Sequence, residues 1–127
     1  MTTTTTASMV DHVGLRVADI PASVRFYTAV LAPLGYVLAS QGEDYAGFGP
    51  EGAPALWLHL SAERGRGTHL AFRAPDRSAV QRFYAAGLEA GAKDNGAPGL
   101  RPDYAANYYG AFLIDRDGNN VEAVCHE

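Results

Sequence analysis

Two histidines stand at the head of nearly the same phrase. His12 opens HVGLRVADIPASVRFYTAVL, and 57 residues later His69 opens HLAFRAPDRSAVQRFYAAGL; nine of the twenty positions are identical without a gap. An imidazole can ligate a metal or move a proton near neutral pH. A histidine that is duplicated along with its surroundings therefore marks a duplicated chemical position. Period-two alternation puts His12, Gly14 and Arg16 on one strand face and Val13, Leu15 and Val17 on the other. The second copy repeats this, with His69, Ala71 and Arg73 opposite Leu70, Phe72 and Ala74. Near the end of the chain, Glu122 and Val124 alternate with Val121, Ala123 and Cys125. The small apolar set suits packing beneath a helix, which turns Glu122 toward the face of the histidines. A carboxylate in the middle of a sheet is costly unless it is paired or bound to a cation.

Other polar groups share these faces. His59 falls on the face of Trp57 in ALWLHLS and is a candidate acid, base or pocket-lining residue. Arg16 and Arg73 lie two strand repeats beyond the histidines, where they can grip a carboxylate or phosphate, or pair with local acids. Tyr45, Tyr104, Tyr108, Tyr109 and Trp57 gather around the expected mouth, and aromatic faces there can stack on a planar ligand. Residues 94–107, DNGAPGLRPDYAAN, read as one long irregular loop carrying Arg101 and Asp103, with turns suited to a lid.

The elements that must hold these groups follow from the change of period. Asp19 starts a helix with Pro21 in its first turn and Gly35 past its end. Ile20, Val24, Tyr27, Val30, Leu31 and Leu34 form its apolar stripe. Asp76 starts the matching helix, with Val80, Phe83, Tyr84 and Leu88 as its stripe. Shorter strands follow each helix, near 36–41, 45–49 and 55–61, then 92–94, 108–114 and 120–126. The fold class is α+β: two tandem βαβββ modules, residues 9–61 and 68–127, in one domain after a disordered tail at 1–8. Paired side by side, they make a cup-shaped, partly closed mixed sheet with helices outside and His12 facing His69 across an internal two-fold.

The bulk numbers exclude more than they identify. A net charge of −4 without a Lys/Arg run argues against nucleic acid. No apolar stretch approaches a membrane span. The single Cys125 rules out an internal disulfide and fits a reducing, cytoplasmic setting.

DHVGLRVADIPASVRFYTAVLAPLGY, THLAFRAPDRSAVQRFYAAG and the closing DRDGNNVEAV resemble the vicinal oxygen chelate superfamily. That superfamily holds glyoxalase I, extradiol dioxygenases, and fosfomycin- and bleomycin-resistance proteins. GFGPEGAPALWL and YYGAFLIDRDGNNVEAVCH resemble a branch described only as glyoxalase-like. The resemblance implies a divalent metal (Fe, Ni, Mn, Zn or Co) held by His12, His69 and Glu122. It also implies a homodimer, with modules either kept within one chain or exchanged; only exchange would join His12 to the His69 and Glu122 of a second copy.

The implied activity is that of a metal-dependent lyase, isomerase or dioxygenase on a small oxygenated substrate. Tyr109, His59 or water would move protons, and Trp57, Arg16, Arg73, Arg101 and Tyr104 would contact the substrate. The alternative is a non-catalytic small-molecule-binding protein resembling the bleomycin-resistance group. Glyoxalase I takes a fourth ligand, a Glu, at the position of Leu56 or Trp57. No carboxylate stands there, so the resemblance does not extend to four-ligand glyoxalase I chemistry. The branch often carries histidines where this chain has Asp103 and Ala105.

Overall fold

The structure, a computed structural model, describes residues 9–63 and 67–127. The tail read at 1–8 lies outside the described residues. The strands are β1 (Val13–Val17), β2 (Val37–Gln41), β3 (Tyr45–Gly49), β4 (Leu56–Leu60), β5 (His69–Arg73), β6 (Lys93–Leu100), β7 (Tyr109–Ile114) and β8 (Asn120–Cys125). The helices are α1 (Ile20–Leu31), followed by a 3-10 turn at Ala32–Leu34, and α2 (Arg77–Glu89). Two four-stranded sheets result, ordered β1-β4-β3-β2 and β5-β8-β7-β6. The first strand of each module runs parallel to the last, and the other pairs are antiparallel. This is the expected α+β fold of two βαβββ modules, with mixed sheets that do not close into a barrel.

The helix starts follow from local chemistry. Asp19 accepts the Ala22 N–H at 2.9 Å, and Asp76 accepts the Ala79 N–H at 2.8 Å. Each bond satisfies a donor that the first helical turn leaves unpaired. α1 buries Ile20, Phe26, Tyr27, Val30 and Leu31. α2 buries Ala79, Val80, Phe83 and Gly87. Leu88, read as part of the α2 stripe, is instead exposed. The periodicity locates it near the apolar side, but no neighbouring element covers it.

Each helix packs on its own sheet, and the two helices pack on each other. Gly87 lies in this contact, since a Cβ there would lie 2.1 Å from Leu113 Cδ1 on β7 and 3.3 Å from Val30 Cγ1 on α1. One hydrophobic core therefore runs through both modules. The opposite faces of β1 and β5 are left exposed at His12, Gly14, Arg16, His69, Ala71 and Arg73. Among the described residues, no helix is long and apolar enough to cross a membrane.

The loop read at 94–107 needs correcting. Its first half is strand β6, joined to β7 with register breaks between Asp94 and Gly96 and between Gly96 and Gly99. The strand lies at the sheet edge, where glycines, bulges and a Pro98 without an N–H are tolerated. Only the stretch from Arg101 to Tyr108 remains irregular. It is cross-tied by Arg101 N–H to the Tyr108 carbonyl at 2.7 Å and Tyr104 N–H to the Arg101 carbonyl at 2.9 Å.

Candidate functional site

The open face of the second sheet carries a buried carboxylate. Glu122 is only 1 % exposed, although its side chain lies on the side away from α2. Strand register explains the burial. Glu122 stands in the centre of its sheet, opposite Ala71 on β5 and Phe112 on β7. Tyr108, Gly110 and Phe112 share its face by alternation.

Both carboxylate oxygens are engaged. Oε1 lies 3.0 Å from His69 Nε2, and Oε2 accepts a hydrogen bond from the Tyr108 hydroxyl. The His69 ring stacks beside Phe112, with centroids 6.3 Å apart. Its Nδ1 lies 3.3 Å from the Asn120 carbonyl, which can only accept. A neutral ring with its proton on Nδ1 donates to that carbonyl and turns the Nε2 lone pair toward Glu122 Oε1, while one with its proton on Nε2 donates to Oε1. In the first tautomer the two acceptors share a proton or a metal ion; in the second the N–H···O bond satisfies both without one. The separation also suits a metal, because two ligands at right angles, each about 2.1 Å from one ion, lie about 3 Å apart.

Tyr108 is held on three sides. Its ring meets Tyr104 edge-on at 5.1 Å and His126 edge-on at 5.3 Å. Its hydroxyl is pushed well above the usual tyrosine range, first by burial and then by the bond to Glu122.

The structure thus brings His69 and Glu122 together, and it leaves His12 apart from them. His12 Nδ1 lies 2.7 Å from Asp11 on the exposed head of β1. Among the described residues, no three His, Cys, Asp or Glu side chains are grouped so as to hold a metal ion. Within a single chain, the expected meeting of His12 with His69 and Glu122 therefore does not form.

The first sheet answers a question that the sequence left open. Gly14 pairs with Trp57 as Ala71 pairs with Glu122, so the counterpart of Glu122 is Trp57, and Leu56 is turned to the core. The indole lies over Gly47, where a Cβ would sit 2.5 Å from the ring. Tyr45 adjoins it at 6.3 Å, and the His59 ring covers Gly14.

The arginines divide. Arg16 sits 3.8 Å from Glu63, in an exposed pair. Arg101 donates to the Ala97 carbonyl at 2.6 Å, with its guanidinium over the Phe112 ring. Arg73 borders an apolar cavity of about 510 Å³ shared with His12, Leu31, Leu56, Leu70 and Phe72. Tyr104 is largely exposed above Tyr108.

Tyr109 lies on the opposite face from Glu122. Its hydroxyl accepts from Gln81 on α2 at 2.9 Å, and Arg77 covers its ring. The tyrosine beside the carboxylate is its neighbour, Tyr108, which the sequence grouped only with the aromatics of the mouth. Phe112 was not singled out at all. Alternation back from Ile114 would have separated the two tyrosines, once the pairing of Phe112 with Glu122 was known.

Residues 9–123 match the Glyoxalase/Bleomycin resistance protein/Dioxygenase superfamily. Among solved structures, the chain is similar to a glyoxalase/bleomycin resistance protein from Albidiferax ferrireducens T118. The two are 28 % identical, with a TM-score of 0.82 over 92 % of this chain and 98 % of that one. It also shares its fold with a glyoxalase/bleomycin resistance protein/dioxygenase family enzyme from Burkholderia phytofirmans PsJN, at 20 % identity and a TM-score of 0.72 over 92 % and 98 %. A glyoxalase-related enzyme from Fulvimarina pelagi gives 19 % and 0.71 over 93 % and 88 %. The curated proteins yield no match.

Proposed function

Because the chain belongs to the glyoxalase/bleomycin resistance protein/dioxygenase superfamily, we propose that the face around Glu122 is a metal-dependent catalytic site for a small oxygenated substrate. The observation that carries this reading is the convergence of His69 Nε2 and Glu122 Oε1, 3.0 Å apart, on a carboxylate almost wholly removed from water. A divalent ion held there would compensate the buried carboxylate, with the imidazole and carboxylate as a donor set suited to it. His69 and Glu122 are two of its ligands, and the third is His12 of a second copy in a homodimer. When bound, the ion supplies Lewis acidity toward two adjacent substrate oxygens.

The chain's own residues do the rest. The Asn120 carbonyl fixes the His69 ring, Phe112 shields one side of it, and Trp57 and Tyr104 contact the substrate. With Tyr109 turned to α2, His59 is the side chain left to carry a proton. Trp57 in the place of a second carboxylate supports a glyoxalase-like chemistry other than that of four-ligand glyoxalase I.

One feature favours the non-catalytic reading. The Trp57–Tyr45 pair offers an aromatic shelf where the other sheet offers a carboxylate, which suits capture of a planar molecule. Metal content separates the two readings. Wild type, His12→Ala, His69→Ala and Glu122→Gln, purified without an affinity tag, are titrated with Fe(II), Ni(II), Mn(II) and Zn(II) and measured by mass spectrometry. Near-stoichiometric metal in the wild type, lost in all three variants, is the expected result. Equal metal in wild type and Glu122→Gln would sink the catalytic reading.

A further inference from the structure

Glu122 has two oxygens and only one of them faces His69. The other is occupied by Tyr108, and the surroundings of that contact are built for it. Gly110, between Tyr108 and Phe112 on the same face, leaves the room: a Cβ there would lie 3.1 Å from Glu122 Oε2 and 3.2 Å from the Tyr108 ring. Tyr104 and His126 hold the Tyr108 ring edge-on from two sides. The Tyr108 N–H reaches the Ala105 carbonyl at 3.3 Å, and its carbonyl accepts from Arg101, so the backbone is tied into the 101–108 turn.

We propose that Tyr108 is a positioning residue, a clamp whose hydroxyl fixes Glu122 so that only Oε1 is presented to the ligand position beside His69. A free carboxylate can bind a cation through one oxygen or two. Holding Oε2 in a hydrogen bond restricts Glu122 to one, and so leaves an additional coordination position for a substrate oxygen. The consequence rests on the metal reading above; the clamp itself rests on the geometry of Tyr108, Gly110 and Glu122. Groups that orient a metal ligand in this way commonly contribute 10–100-fold to affinity.

The test uses the full-length protein as wild type, Tyr108→Phe and Gly110→Ala. Tyr108→Phe keeps the ring between Tyr104 and His126 and removes only the hydroxyl. Gly110→Ala keeps the hydroxyl and crowds the contact. Metal-free samples are compared by the side-chain carboxyl ¹³C resonance of Glu122, assigned with Glu122→Gln. Co(II) titration then gives a dissociation constant and a visible absorption spectrum.

The clamp predicts a moved Glu122 resonance in both variants, about 10–100-fold weaker Co(II) binding in Tyr108→Phe, and an altered Co(II) spectrum. An unmoved resonance in Tyr108→Phe overturns the proposal, whether or not the wild type binds metal. Where the wild type binds Co(II), unchanged affinity and spectrum in that variant also overturn it. A moved resonance in Tyr108→Phe, together with a wild type that takes up no metal, supports the clamp and overturns the metal reading instead.

Discussion

The two modules descend from one pattern, yet at equivalent positions they do opposite things. Tyr27 and Tyr84 stand 57 residues apart at the same point of their helices, and each donates to an aspartate. Tyr27 reaches Asp115 at 2.6 Å in the core between the modules. Tyr84 reaches Asp94 at 2.9 Å in solvent. Val30 and Gly87 are likewise equivalent, and they meet each other across the helix pair. On the open faces, Trp57 stands where the second module has Glu122. The lesson is that a duplicated unit packed against its own copy cannot stay symmetric. A bulky residue on one side needs a small one on the other, and a buried polar group needs a partner that only one copy supplies.

The sharpest way to break this comparison is to restore the symmetry at the helix contact. Gly87→Val, which makes the two helices identical there, should cost about 3 kcal/mol or more, because Leu113 and Val30 already fill the space. Denaturant midpoints read the loss directly. An unchanged midpoint would mean that the helices do not meet at this point.

Next come the paired tyrosines. Tyr27→Phe strips a donor from a buried carboxylate, at about 1–3 kcal/mol. Tyr84→Phe, at the solvent-exposed equivalent, should leave the thermal midpoint unmoved. Equal losses in the two variants would refute the asymmetry.

The same pair makes a pH prediction. Burial first, and then Asp115, push the Tyr27 hydroxyl well above the usual tyrosine range. The folded chain therefore keeps its proton where the unfolded chain gives it up. Its contribution is fully present below about pH 10 and is lost as the pH rises further. Stability measured from pH 8 upward should fall more steeply for wild type than for Tyr27→Phe.

The smallest effect is a control in which the copies should agree. Asp19→Ala and Asp76→Ala each remove one capping bond of near-equal length. Each should cost about 1 kcal/mol. A large difference between them would show that the caps also serve tertiary packing.

Much of this molecule is legible in its sequence because the relevant physics is local. The repeat, the strand alternation, the aspartate caps and the helix stripes each depend on residues within a few positions of one another. They were enough to predict two βαβββ modules, and to place His69 and Glu122 on one face of the second sheet. They failed where a residue's role depends on what lies across from it. The glycines and Pro98 of β6 read as loop because nothing local reveals that an edge strand tolerates them. Leu88 fits the α2 stripe, yet no neighbouring element covers it. Tyr109 and Tyr108 differ by one position, and only the pairing of β7 with β8 decides which of them reaches Glu122.

The amino-acid order by itself therefore determined the modules, their duplication and the facing of the donor groups, since periodicity fixes which side of an element each residue occupies. Tertiary structure alone decided that Trp57 is the counterpart of Glu122, that Tyr108 holds that carboxylate and that His12 stands apart from it. Register and packing between distant segments are collective properties, set when both modules fold onto one core, and no short stretch of the chain encodes them.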